Sequence, residues 1–493
     1  MSSGVVAAPC RIQTFRKSPH TIAVRRRFSS SPSTASDCDF VLALYFNIRV
    51  RLNFLSVLIC FTSLETNRDA LAFIAITASW DGHNLDRFLD PYSFFHYPLG
   101  MSGLERPVKI SLFLIFFFGI LVRLYIAYHF YGTFDVNSWE KIFDYWRQGI
   151  SPYDLEHRYA YSPLWFWVIS LFSILNSFTH FPAYFVVKLP LILGDIGIGW
   201  LLWKISGNLG ENSLNRSRIV ALFFLNPVSF LNTCVMGQFD NLSCLFLLAS
   251  YFCTFTELKL KDILSLLLFS LAVAMKQTAL LFLPIFMFRQ RTLSKQISLL
   301  LLAPAFFFLF LFPYLRTDPS TVYKSVILDS VYVRLEPFRW GWTLILNNAL
   351  MTLFNIDLMK TWVYDWAARA NCVLYIFLGL VAYRFSKKTS FTEATLLYLL
   401  IFYVSTTIFA LQYIVWIIPF AALKKDKMFI LFSMVMGCAY LAFFEWHVQY
   451  YLGNIEAQAR ITPVFAWLNV LSWLVLLTWL LIRLRAWRRT AAF

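Results

Sequence analysis

From residue 111 to the C-terminus, apolar runs long enough to cross a bilayer recur with only short polar breaks between them. A helix needs about 20 apolar residues for one crossing, so the pattern leaves room for roughly ten to thirteen spans. No soluble domain of any size fits between them, and the pattern predicts an all-α polytopic membrane protein. Two breaks stand out. Residues 132–163, GTFDVNSWEKIFDYWRQGISPYDLEHRYAYSP, form an acidic, aromatic island directly after the apolar run 111–131. The run 262–288 is interrupted by Lys276 and Gln277 and then by Pro284, which predicts two short helices folded back at 275–277. Irregular backbone at membrane depth is tolerated where it lines a cavity.

Composition sharpens this reading. The 493 residues are 59% hydrophobic and 14% charged, with a net charge of +16. The basic residues sit in short runs between apolar segments, the signature of positive-inside topology rather than of a nucleic-acid surface. Arg106 and Lys109 therefore stay cytoplasmic and the island emerges on the other side. The clusters at 204–218, 289–295, 384–388, 424–427 and 483–489 join the cytoplasmic face. For this to close, one of the runs 162–178 and 183–203 must fail to cross, and 162–178 is the better choice for a re-entrant or interfacial segment. Eight scattered cysteines without a CxxC pair imply neither a disulfide framework nor a zinc site.

Residues 1–100 read differently. The first 35 are rich in Arg and Ser and lack acidic residues, as a transit peptide would. Met101, however, opens a basic flank that leads straight into a clean helix. The favoured division is a poorly defined extension over 1–100, either dispensable or non-native, and a membrane domain over 101–493, with 132–161 its first extracytoplasmic loop.

Four constellations carry candidate chemistry. Asp135 lies just beyond the first apolar run, where a carboxylate can take a proton from an attacking hydroxyl. Around it stand Asn137, Glu140, Arg158 and Tyr161, carboxylates and aromatics that suit a sugar, although a solvated helix end or an interfacial aromatic belt has the same composition. Gln238 and Asp240 interrupt apolar runs at a helix junction, where polar groups are costly unless they line a site. Lys276, inside an apolar run, must snorkel or meet an anion such as a phosphate. Gln412 opens QYIVWIIP beside Tyr413 and Trp416.

Taken in order, these pieces resemble the GT-C superfamily of membrane glycosyltransferases that use a polyprenyl-phosphate sugar. The signs are the Asp after the first helix, GISPY at 149–153, RYAYSP at 158–163, NP at 226–227, GQFDN at 237–241, the Lys276 segment and QYIVWIIP at 412–419. Within that superfamily they resemble the mannosyltransferases that add the first mannose to glycosylphosphatidylinositol, and their bacterial and archaeal relatives. The resemblance implies a GT-C-like helical bundle and an inverting hexosyl transfer, with Asp135 as general base and no resident cofactor. It implies a polyprenyl- or dolichyl-phosphate sugar donor, a glycolipid or glycan acceptor, and in some relatives a small partner subunit. The membrane would be the endoplasmic reticulum in a eukaryote and the plasma membrane in a prokaryote. Where eukaryotic relatives carry D-x-D, this chain has Asp135-Val136-Asn137, which weakens the case for a divalent metal. A secondary transporter and a noncatalytic subunit of a glycosylation complex are the competing classes. The transporter reading expects internal repeats, and the two halves of the chain show none.

Overall fold

The computed structural model describes residues 106–154, 159–326, 340–358, 361–407 and 409–491. The expectations for residues 1–100 and for Arg158 fall outside these. All regular structure among the described residues is helical, and the protein is an all-α polytopic membrane protein.

The chain opens with α1 (Arg106–His129), an apolar helix of 24 residues. The polar island then departs from a simple loop, since its first half is the amphipathic helix α2 (Phe134–Gln148). Val136, Trp139 and Phe143 recur at helical spacing and are buried, and this stripe folds the segment in spite of its polar composition. Helix α3 (Pro163–Phe178) has 16 residues, capped at its start by the Ser162 side chain. This is short of the roughly 20 residues a crossing requires. Both flanks of α3 are also held at one end of the bundle. Ser162 donates to the Ala274 carbonyl beside the Lys276 break. After α3 the chain returns through a short turn (Ala183–Val186), where Tyr184 donates to Tyr128 O at the end of α1 at 2.9 Å.

Helix α4 (Leu189–Asn208) continues from that turn and is largely buried. It is followed by α5 (Ser213–Phe224), α6 (Pro227–Leu231) and a π turn (Asn232–Met236). The bend of 42° between α5 and α6 falls at Asn226-Pro227. Pro227 cannot donate to the α5 ladder, and Asn226 caps the new helix through Val228 N at 3.0 Å. Helix α7 (Asp240–Cys253) then packs against α8 (Lys261–Met275).

Helix α8 stops at Lys276, whose φ of −149° and ψ of 119° are extended. A 3₁₀ turn (Gln277–Phe282) leads into α9 (Leu283–Arg289). The rings of Phe269 and Phe286, on opposite sides of the break, meet with centroids 4.8 Å apart, so the segment folds back on itself. The remaining elements are α10 (Leu293–Thr317), α11 (Gly341–Phe354), α12 (Val363–Lys388) and α13 (Phe391–Ser405). A second 3₁₀ turn (Leu411–Trp416) precedes α14 (Ile418–Lys424), α15 (Lys427–Tyr451) and α16 (Ile455–Ala491). Among the described residues, five helices are long and apolar enough to cross a bilayer, six if the bent α5–α6 pair forms one span, and five shorter apolar helices accompany them.

The basic loops gather at one end. Lys425 pairs with Glu211 at 2.6 Å, Lys424 with Glu393 at 3.0 Å and Arg483 with Asp426 at 2.6 Å. The breaks at 237, at 276 and at 411 gather at the other.

Between the two ends lies a fully buried ion pair. Arg123 of α1 donates to Asp195 of α4 at 2.8 Å, to Phe224 O at 2.6 Å and to Ser229 Oγ at 2.9 Å. Asp195 also accepts from Thr233 at 2.9 Å and Asn241 at 3.1 Å. Removing one member of such a network strands the other charge. Arg123→Met is expected to lose about 3–5 kcal/mol of stability, read as a lowered thermal unfolding midpoint of the detergent-solubilised protein. A midpoint equal to that of the wild type would show that the pair contributes nothing.

Candidate functional site

The site is built where the start of α2 meets the turn before α7. Gly132 (φ +113°) and Gly237 (φ +64°) both adopt backbone conformations that side chains disfavour, and both lie against α2. A Cβ on Gly237 would stand 2.5 Å from Val136 Cγ2, and one on Gly132 2.5 Å from Val235 O. This closeness permits two further bonds across the seam. Thr133 Oγ1 donates to Met236 O at 3.1 Å, and Trp139 Nε1 to Gly237 O at 2.8 Å. With the two backbones fixed in this way, Gln238 Nε2 donates to Asp135 Oδ2 at 2.5 Å across 103 residues of sequence.

Asp135 occupies the first turn of α2, beside the positive end of the helix dipole. It is partly exposed, whereas Gln238 is buried and its Oε1 has no partner. His447, on α15, lies within electrostatic reach of Asp135. Asn137 Nδ2 donates to Tyr131 Oη at 3.2 Å, and Tyr131 in turn donates to Glu140. Three of the polar residues read from the island, Asn137, Glu140 and Asp135, thus share one end of one helix.

Asp240 and Lys276 lie deeper. They form a buried ion pair, and Trp416 Nε1 donates to the other carboxylate oxygen at 2.9 Å. The Lys276 ammonium also faces the rings of Phe239, 4.8 Å to its centroid, and Tyr161, at 5.4 Å. Tyr161 packs edge-on against Phe239, and Trp165 stacks on Phe239 at 4.7 Å, so an aromatic wall separates the pair from the Asp135 seam. Gln412, half-buried, is carried on the same 3₁₀ turn as Trp416. Of the residues expected from sequence, Asp135, Gln238, Asp240, Lys276 and Tyr161 are brought together by direct contacts or shared neighbours. Gln412 is brought near through its turn rather than through a contact of its own. Among the described residues no three His, Cys, Asp or Glu side chains converge as a metal site would require.

Four further residues support this geometry, of which the sequence reading names Trp416 and Gln277 without their partners and passes over Trp139 and Lys188. Trp139 and Trp416 bond directly to site segments. Lys188, fully buried, donates to Phe130 O at 2.5 Å and Ala127 O at 3.3 Å, satisfying the carbonyls at the end of α1. Gln277 Nε2 donates to Ala160 O at 2.7 Å and so ties the helix break to the island.

Two outcomes follow. Gly237→Ala would force a left-handed Ala against Val136 and is expected to cost about 1–3 kcal/mol. It should also separate Gln238 from Asp135, so unfolding midpoint and activity should fall together; a variant with unchanged activity would show that the seam does not set the site. Burial raises the Glu140 carboxyl above the usual range, against the opposing pull of the Tyr131 hydroxyl. A carboxyl raised on folding contributes stability that is present in acid and lost as pH rises through the raised value. Glu140→Gln should therefore flatten the dependence of the unfolding midpoint on pH above the ordinary glutamate value of about 4.3, and an unaltered slope would assign that dependence elsewhere.

Residues 136–290 match the family model described as alpha-(1->6)-mannopyranosyltransferase, N-terminal domain. The match begins one residue after Asp135 and spans Gln238, Asp240 and Lys276. No curated protein matches the chain. The match supports a mannosyltransferase family, and with it a glycosyltransferase function for this multi-pass membrane protein.

Proposed function

We propose that the protein is an inverting glycosyltransferase of the GT-C type. It moves a hexose, most simply mannose, from a polyprenyl- or dolichyl-phosphate carrier to a lipid-linked or glycan acceptor on the extracytoplasmic or lumenal side. The observation that carries this reading is the Asp135–Gln238 bond. Gln238 donates to one carboxylate oxygen, the group stands at the positive end of the α2 dipole, and Asp135 remains partly open to an incoming hydroxyl. In the step itself the acceptor oxygen bonds to the anomeric carbon as the bond to the lipid phosphate breaks. The hydroxyl proton passes to Asp135 and the lipid phosphate leaves with the bonding electrons. One base suffices, and no covalent sugar–enzyme intermediate forms.

The roles of the neighbours follow from their positions. Asn137, Glu140 and Tyr161 flank the base with hydrogen-bonding groups and an aromatic ring, the means of orienting a sugar. Lys276 is the cation proposed to meet the donor phosphate, acting as a pair with Asp240. The description of the matched family supports mannose and an α(1→6) linkage. A glycolipid acceptor of the glycosylphosphatidylinositol kind is the second form of the same reading, favoured by the sequence motifs at 149–163 and 226–241.

The test is sugar transfer in membranes expressing the chain, supplied with labelled polyprenyl-phosphate mannose and glucose in parallel. Asp135→Asn keeps the size and hydrogen-bonding capacity of the side chain but cannot accept the proton. Transfer should fall by about 10²–10⁴-fold, the usual contribution of a general base, at an unchanged protein level. Full transfer by a well-inserted Asp135→Asn protein would remove Asp135 from the chemistry.

A further inference from the structure

A cavity lies at the far end of α2 from Asp135. It measures about 440 Å³ and opens between the segment after α2 and the end of α10. Its apolar wall is the ring of half-buried Tyr314, backed by the buried Tyr153 in a T-shaped pair with centroids 5.3 Å apart. Asp154 and Asp318 supply carboxylates, and Thr317 and Thr321 supply hydroxyls.

The electrostatics of this cleft are one-sided. It sits at the C-terminal ends of two helices, α2 closed by left-handed Gly149 and α10 closed at Asp318, so both dipoles present their negative ends. The lining has two carboxylates and, among its described residues, no lysine, arginine or histidine. Hydrogen bonds from Thr321 and Ser320 hold the Asp318 carboxyl down to about 2, which keeps it charged. Such a cleft repels a phosphate, so the sugar donor's carrier does not belong there. The space is also far larger than a bare cation needs, and one Asp318 oxygen is already committed to capping the turn Pro319–Tyr323. Aromatic faces beside carboxylates that accept O–H donors are the chemistry of a neutral, polyhydroxylated ring.

Position supplies the rest. Asp135 and Gln148 stand at opposite ends of α2, roughly 20 Å apart at 1.5 Å per residue. A ligand in this cleft is therefore too distant to be the sugar that reacts. Resting on the reading of Asp135 as the base, we propose that the Tyr153–Tyr314 cleft binds a neutral sugar of the acceptor chain, several units away from the reacting hydroxyl. The natural acceptor is then an oligosaccharide long enough to follow α2 from one site to the other.

The experiment uses the full chain in detergent and α(1→6)-linked mannose oligomers from disaccharide to octasaccharide, with binding measured by calorimetry and transfer measured separately. Thr317 is exposed and bonds only to carbonyls of its own helix, so Thr317→Trp fills the cleft without touching the core. Asp154→Asn removes an exposed carboxylate. Wild-type affinity should rise with oligomer length, and Asp135→Asn should retain that rise. Asp154→Asn should weaken long oligomers by about tenfold, the loss of one hydrogen bond to a charged group, Thr317→Trp should weaken them at least as much by occupying the space, and both should leave the disaccharide unchanged. Affinity independent of length, or long-oligomer affinity untouched by either variant, overturns the cleft assignment. Length-dependent binding without transfer would leave the cleft standing and sink the catalytic reading, whereas transfer indifferent to length in every variant would do the reverse.

Discussion

One fully buried guanidinium and the carboxylate it pairs with tie six segments of this chain together. Arg123 bonds across α1, α4, the end of α5 and α6, and its partner Asp195 recruits Thr233 from the π turn and Asn241 from α7. A charge in such surroundings is tolerable only when every donor finds an acceptor. The segments must therefore meet in one arrangement, and that arrangement reaches the site. Thr233 lies in the turn that ends at Gly237, and Asn241 follows Asp240 directly. The groups proposed for chemistry are thus continuous in the chain with the groups that cannot move.

From that anchor the site is assembled by steric closeness rather than by charge. Gly132 and Gly237 let two backbones approach to the point where Thr133 and Trp139 bond across them. The Gln238 amide then has one place to go, the Asp135 carboxylate. A carboxylate presented in this way has its rotamer restricted before any ligand arrives, so less ordering remains to be done on binding. The helix that carries Asp135 in its first turn ends at the Tyr153–Tyr314 cleft, and α2 therefore fixes the separation of the two as a property of its length.

Much of this architecture is legible in the sequence, and the rest is hidden for physical reasons. Long apolar runs mark α1, α4, α10, α15 and α16, and the Lys276-Gln277 pair marks a real break. Asp135, Gln238, Asp240 and Lys276 are conspicuous because polar groups are rare in such a chain. Helix α2 is obscured by its polar composition, although its stripe at 136, 139 and 143 has helical spacing. The pairings are not legible at all: nothing local to Asp135 names a glutamine 103 residues away, since the contact depends on a glycine turn meeting a valine. Arg123 and Asp195 present an intermediate case. Each is a lone charge inside an apolar run, and opposite charges so placed seek one another, but the sequence does not say that six segments meet there.

The break at Lys276 shows how structure and chemistry share the same residues. Ending α8 at Met275 leaves the Ala274 carbonyl without a helical partner, and Ser162 donates to it, while Ala272 O, which accepts from Lys276 N at 3.0 Å, takes a second bond from Ser243. Gln277 returns a bond to Ala160, so the island and the break hold each other in place. Lys276 is thereby fixed against Asp240 and the rings of Phe239 and Tyr161. At that range Asp240 cancels most of its charge as felt from a distance, because the field of a close opposite pair falls off as that of a dipole. An approaching phosphate meets an oriented dipole, and the attraction depends on which end it reaches first. Trp416 holds the second oxygen of Asp240 on the inner side. The geometry of the pair, more than the presence of a lysine, is therefore what any phosphate recognition at this break must use.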